Sequence, residues 1–264
     1  MNLMNLAVGL IIISPILMGI SMSLMSASEM ASIPPNILPQ SFKLLNYTKA
    51  LGSVPIFQFM SNSFIVCFLV ITAQVITCSL AAYAFSFFDF PFRQGIFTIV
   101  LSTMMIPADA TIIANYLTIS QMRLQDTYLA LIFPYLTSAM GIFLMRQYFL
   151  TVPKELKEAA TIDGCGDIRF LLQILIPISK PVIASLVIYI FIQTYNQFLW
   201  PLLVTNRSER RTVQIGMSIL RAAEAIDYGV VLAGAVMILI PSIVVFSIGQ
   251  KALIKGMTAG SVKG

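Results

Sequence analysis

Glu158-Ala159-Ala160, then Gly164, then Ile174-Leu175-Ile176-Pro177 belong to one charged, helix-prone insert between two long apolar segments. Pro153 suits the start of a helix there, because the N–H that proline lacks is unpaired in a first turn anyway. Glu155 and Glu158 fall early in that helix, where the helix dipole favours negative charge. Gly164 fits the left-handed cap that ends it. The pattern predicts a second short helix over 167–175, stopped by Pro177. The product is a helix–Gly–helix elbow standing out of a membrane. Leu156, Ala159, Ala160 and Ile162 give it apolar faces that something must cover. On spacing alone, the plainer reading is an amphipathic loop lying on lipid headgroups.

Composition puts that insert in a membrane protein. The chain has 264 residues, of which 58% are hydrophobic and 10% charged, and its mean hydropathy is +0.89. A soluble domain carries roughly 25% charged residues, so the bilayer must solvate much of this surface. The length predicts one integral membrane domain over residues 1–264, without a separate soluble domain. The net charge of +5 is read as basic residues flanking the spans and meeting anionic headgroups, not as a nucleic-acid surface.

A bilayer crossing needs about 20 apolar residues. Six stretches qualify: 3–25, 63–87, 95–117, 128–150, 182–204 and 229–248, with the insert at 151–181. The fold class is therefore all-α, with six transmembrane helices. The first stretch lacks the basic start and small-residue cleavage site of a secretory signal and is read as a retained helix. One side collects nine basic residues (Arg93, Arg146, Lys154, Lys157, Arg169, Lys180, Lys251, Lys255, Lys263) and the other seven (Lys43, Lys49, Arg123, Arg207, Arg210, Arg211, Arg221). That difference hardly orients the chain.

Several chemistries lack their residues. There is no His, and Cys67, Cys78 and Cys165 have no CxxC spacing, so neither a zinc site nor a disulfide framework is expected. No GxxxxGK is present, so another chain must handle ATP. Asn46-Tyr47-Thr48 fits a glycosylation sequon, a match too short to carry weight.

The Glu-Ala-Ala…Gly…Ile-x-Ile-Pro pattern resembles the loop by which permease subunits of bacterial ABC importers dock on their ATPase. The stretch 146–177 resembles the carbohydrate-importer branch, including Arg146-Gln147-Tyr148-Phe149 and Ala160-Thr161-Ile162-Asp163-Gly164. Asn62-Ser63-Phe64 and Ala81-Ala82-Tyr83-Ala84-Phe85 resemble the start and end of that family's second core span. Asn196-Gln197-Phe198-Leu199-Trp200-Pro201 matches in the fifth, and the tail from Gly256 to Gly264 resembles that of the six-span maltose-importer subunit. The nearer look is of permeases for glycerol-3-phosphate or oligosaccharides. The resemblance implies a complex of two permease chains, two ATPase subunits and an external solute-binding protein. It implies no cofactor on this chain, Mg-ATP being held by the partner ATPase. It also implies a bacterial cell membrane location with both termini cytoplasmic. Glu158, Ala159, Ala160, Asp163 and Gly164 would dock on the ATPase, Gly164 by letting two backbones approach closely. The tail 260–264 would reach the ATPase too.

An ionisable residue at membrane depth is a functional candidate. Asp109 is the only one deep in a span, and Pro107, Asn115 and Tyr116 lie nearby. It either lines a solute pathway, accepting hydrogen bonds from sugar hydroxyls, or caps backbone opened by Pro107 or pairs within the bundle. Asn196, Gln197 and Trp200 form a second cluster, for the pathway or, in the case of Trp200, for the outer interface belt. Gln74 and Gln193 read as ties between helices. Arg210, Arg211, Glu224, Asp227 and Tyr228 fall in the last external loop and either meet the binding protein or are merely solvated. No deep Lys or Arg offers itself to a phosphate, which points to a neutral oligosaccharide. The rival of another class is an ion-gradient secondary transporter built on Asp109, which would leave the elbow without a purpose.

Overall fold

The computed structural model describes residues 3–258 apart from 35, 41, 43, 225 and 226. The expected tail contact at 260–264, and Lys43 and Lys263 of the charge comparison, lie outside the described residues. Every regular element among those described is helical. Among the described residues, three helices are each long and apolar enough to cross a bilayer: Met4–Ser23, Ile56–Phe87 and Tyr228–Gln250. Three bent pairs bring the number to six if each pair is one span. The first helix leaves Ile11 and Ile12 exposed along with most of its other large side chains, and a helix apolar all round needs lipid as its solvent.

The bends have local causes. Arg93–Met105 and Asp109–Gln121 meet at 99°, with Pro107 at the start of the second piece. The stretch expected at 95–117 is thus two helices, because proline withholds a backbone donor and its ring crowds the preceding turn. Tyr128–Tyr135 and Ala139–Phe149 meet at 51°. Thr127 and Ser138 cap these two pieces, their hydroxyls accepting from the Ala130 and Gly141 N–H at 3.2 Å each. Lys180–Tyr195 ends short of the expected 204, and a separate short helix, Leu199–Val204, follows.

The chain divides into two compact units. Met1–Ser63 with Arg211–Val244 forms the first. Its polar interior is organised by Asn46, whose amide donates to the Ser23 and Met25 carbonyls at 2.9 and 2.8 Å. The sequon asparagine is therefore a buried structural group. Gly216 lets Phe59 pack closely against Val213–Ala223, since a Cβ there would come within 2.3 Å of the ring. Lys49 pairs with Asp227 at 3.0 Å, and the Ser53 hydroxyl donates to Glu224 at 2.7 Å, so those two external-loop acids have partners inside the unit.

Phe64–Arg210 with Val245–Gly264 forms the second unit. Its core joins Val70, Tyr83, Met145, Phe149, Phe170, Leu175, Leu186 and Trp200. The elbow and the polar residues of the third to fifth expected spans all belong to it.

Candidate functional site

The elbow closes as its residues dictate. Pro153 sits at the N-cap of Lys154–Ile162, and Asp163 is its C-cap. Gly164 has φ +73°. Its N–H donates to the Thr161 carbonyl at 3.0 Å, and the Cys165 N–H reaches back to Ala160 at 2.8 Å. These two bonds are the paired closure of a Schellman cap, which needs a left-handed residue at that point. A Cβ at Gly164 would meet nothing within 4 Å, so within this chain the glycine is required by its backbone angle and not by crowding.

The second arm differs from expectation at Pro177. Asp167–Phe170 passes into a π-type turn at Leu171–Leu175 and then Ile176–Ile178. The wider turn sets back the carbonyls that the proline ring would meet, so the helix carries on through Pro177 to end at Ser179. The Tyr148 hydroxyl anchors that end by donating to the Ile178 carbonyl at 3.0 Å.

The elbow's apolar residues divide. Ala160 is 6% exposed and packs in the unit's own core, so its part is to seat the first arm. Ile162 is 86% exposed and Ile168 60%. Glu158, Ala159 and Asp163 are exposed beside them. Between the arms, Lys157 forms an ion pair with Asp167. The hydrogen bond from Lys157, and then that from the Tyr83 hydroxyl, hold the Asp167 carboxyl below the usual carboxylate range. Partial burial opposes the charge on Lys157, but its contacts with Asp167 and Tyr83 prevail and its ammonium is held above the usual range.

The other feature is a cavity of about 570 Å³. Asp109, Asn115, Gln197 and Trp200 line it, as does Gln193. Gln74 lines it too while donating to the Tyr135 carbonyl at 2.9 Å, so the tie between helices is also part of the wall. Trp200 is 3% exposed and its indole N–H donates to the Ala130 carbonyl at 3.1 Å. That buried ring excludes the interface-belt reading. Two expected members fall elsewhere: Asn196 turns back on its own helix to donate to Ile192 at 2.8 Å, and Tyr116 accepts from Gln125 at 3.1 Å. Tyr135, Thr137, Ser138, Tyr189 and Thr194 also line the wall. None of them stood out in the sequence, because a tyrosine or threonine in an apolar helix reads as ordinary packing. Among the described residues, Asp109 is the one formally charged residue lining the cavity, and it lies in the first turn of its helix, where the dipole favours a carboxylate. No group of His, Cys, Asp or Glu among the described residues has the arrangement of a metal site.

The family described as "Binding-protein-dependent transport system inner membrane component" matches residues 6–258. The chain belongs to this family. It is 36% identical over 264 residues to the sn-glycerol-3-phosphate transport system permease protein UgpE of Agrobacterium fabrum, covering 96% of this chain and 93% of that one. The corresponding protein of Rhizobium meliloti is 36% identical over 259 residues, with coverages of 94% and 91%. A solved structure of a bacterial ABC transporter involved in the import of the acidic polysaccharide alginate shares the fold, with a TM-score of 0.84 at 24% identity over 94% of this chain and 93% of that one.

Family membership makes this chain the permease subunit of an ABC importer, an inner-membrane component. Its relatives are permeases and not themselves enzymes. The ion-gradient alternative is thereby set aside, and Asp109 is not needed as a proton or sodium relay.

Proposed function

We propose that this chain forms half of the pathway for a neutral sugar or oligosaccharide, opened and closed by a separate ATPase that grips the elbow 151–181. The observation that carries the reading is the pairing of an elbow that exposes Ile162 and Ile168 with a polar cavity whose lining, among the described residues, has a single charge, Asp109. Ile162 and Ile168 supply apolar surface for an ATPase cleft, a short helix in a groove. Glu158, Ala159 and Asp163 border that surface, and Gly164 sets the angle between the arms. The elbow and the C-terminal tail face the cytoplasm, Mg-ATP stays on the partner, and the wider complex holds a second permease and an external binding protein.

Solute class follows from the cavity. Its amides, hydroxyls and aromatic rings match hydroxyl-rich rings, and a carboxylate accepts from sugar hydroxyls. A phosphate ester of the kind named for the UgpE relatives would meet Asp109 with no cation among the described lining residues to offset it. Two like charges 4 Å apart repel by about 4 kcal/mol at an effective dielectric of 20.

The test is to purify the tagged chain from its native membranes with whatever accompanies it. Recovery of an ATPase, a second permease and a binding protein is the expected result, with Glu158→Lys losing the ATPase alone. The assembled complex is then offered radiolabelled maltotriose and sn-glycerol-3-phosphate. ATP-driven uptake of the phosphate ester, unaffected by Asp109→Asn, would overturn the neutral-solute assignment.

A further inference from the structure

Tyr83, Lys157 and Asp167 come from three helices and meet at one carboxylate oxygen. The Tyr83 hydroxyl donates to Asp167 Oδ1 at 2.9 Å, and Lys157 Nζ is bonded to the same oxygen. Lys157 stands on the first arm of the elbow and Asp167 opens the second. Tyr83 lies near the end of Ile56–Phe87. An aromatic seat supports the group: Lys157 Nζ lies 4.8 Å from the Phe170 ring centroid, and the fully buried Phe170 packs at 6.2 Å from Tyr83 and 5.7 Å from Phe87.

The mechanical problem is the turn. A cap built on one glycine with open space around it can flex. A push on the first arm would then be absorbed at Gly164 and never reach the spans. A cross-brace from Lys157 to Asp167 removes that freedom, because the two arms can no longer change their angle without breaking the ion pair. The Tyr83 hydroxyl extends the brace to the long helix. The hydrogen bonds that lower the Asp167 carboxyl keep the brace charged at neutral pH.

We propose that Lys157, Asp167 and Tyr83 are positioning residues that make the elbow move as one body with the end of Ile56–Phe87, and so transmit the ATPase stroke to the cavity. The proposal rests on the reading of the elbow as the ATPase-docking loop.

The experiment uses the chain with its ATPase and second permease in lipid nanodiscs, and two reporters in separate samples. A label on Cys165, the half-buried elbow cysteine, reads the elbow, since Cys67 and Cys78 are buried. A membrane-impermeant maleimide reads the cavity at one of its lining residues, in Leu199→Cys on a Cys165→Ser background. In the parent chain, ATP with vanadate changes both signals. In Tyr83→Phe and in Asp167→Asn the elbow signal persists, while the cavity response falls at least about fivefold, the lower end of ordinary allosteric coupling. Joining Lys157→Asp to Asp167→Lys restores most of it. A full cavity response in both single variants overturns the brace. Loss of the ATPase from Tyr83→Phe, which removes one hydroxyl, also overturns it, by making the cluster part of the docking surface. Silence of both reporters in the parent chain overturns the docking reading and takes the brace with it.

Discussion

The turn at Gly164 and the break at Asn196–Phe198 both interrupt helices of the same unit, yet they dispose of their polar groups in opposite ways. At Gly164 the freed backbone is closed locally by two N–H bonds to Thr161 and Ala160, and two large apolar side chains, Ile162 and Ile168, face outward among the charged ones. At the break the Asn196 and Gln197 N–H groups close backbone on Ile192 and Thr194 and the Asn196 amide adds a bond to Ile192, while the side chains of Gln197 and Trp200 line the cavity. One interruption is finished within the chain and offers a surface to be covered. The other also closes its backbone but turns polar side chains toward a space to be filled. A membrane protein that moves needs both kinds, and they are made with different residues: glycine at a left-handed angle for the first, amides at helix ends for the second.

The largest expected effect lies on the cavity side. Trp200→Ala empties a buried site and leaves the Ala130 carbonyl without its donor, a loss of about 3–5 kcal/mol. Thermal exposure of the buried Cys67 and Cys78 thiols to a maleimide measures it. A loss no larger than that of a surface residue would mean that Trp200 is a guest in the cavity and not part of its wall.

At the elbow, Gly164→Val forces a β-branched residue to φ +73°, with strain of about 1–2 kcal/mol and loss of ATP-driven uptake. Gly164→Asn tolerates that angle and should keep much of the uptake at equal abundance in the membrane. If Asn fails as badly as Val, a neighbour on the partner ATPase, not the backbone angle, requires glycine.

The smallest effect is on pH. The Asp167 carboxyl is lowered, so its contribution is present above the ordinary carboxylate value and is lost only as pH falls through the lower folded one. The Lys157 ammonium is raised, so its contribution is present below the ordinary lysine value and is lost as pH rises through the higher one. Between about pH 4 and pH 10 the pair should stay charged, and the ATP response of a Cys165 label should be flat wherever the complex is intact. A step inside that window would show that the arms are held by something other than this pair. The pair is partly exposed, at 20% and 51% for the two side chains, so its worth to stability is only about 0.2–1 kcal/mol.

How much was legible follows from the same contrast. The elbow is a local object: Pro153, Glu155, Glu158 and Gly164 each act within a turn or two, so their order in the chain predicts the arms and the cap. Its one surprise, the passage through Pro177, needed a π-type turn that no residue type announces. The cavity is assembled from Gln74, the Asp109–Asn115 turn, the Tyr135–Ser138 break and the Tyr189–Trp200 stretch, which meet only in three dimensions. Asp109, Gln197 and Trp200 could be flagged because charge, amide and indole are rare in apolar helices, whereas Tyr189 and Thr194 could not. The brace was invisible for the same reason, since Tyr83 lies far along the chain from Asp167 and looks like one more aromatic at the end of a span.

Trp200 is the sole tryptophan of the chain, and it is fixed in the cavity wall by its bond to Ala130. The purified subunit therefore holds a built-in optical gauge at the place where solute is expected. Its emission colour tracks how wet that wall is, with no dye attached and no side chain changed. Filling, draining or collapse of the cavity becomes something to watch as light from one atom group.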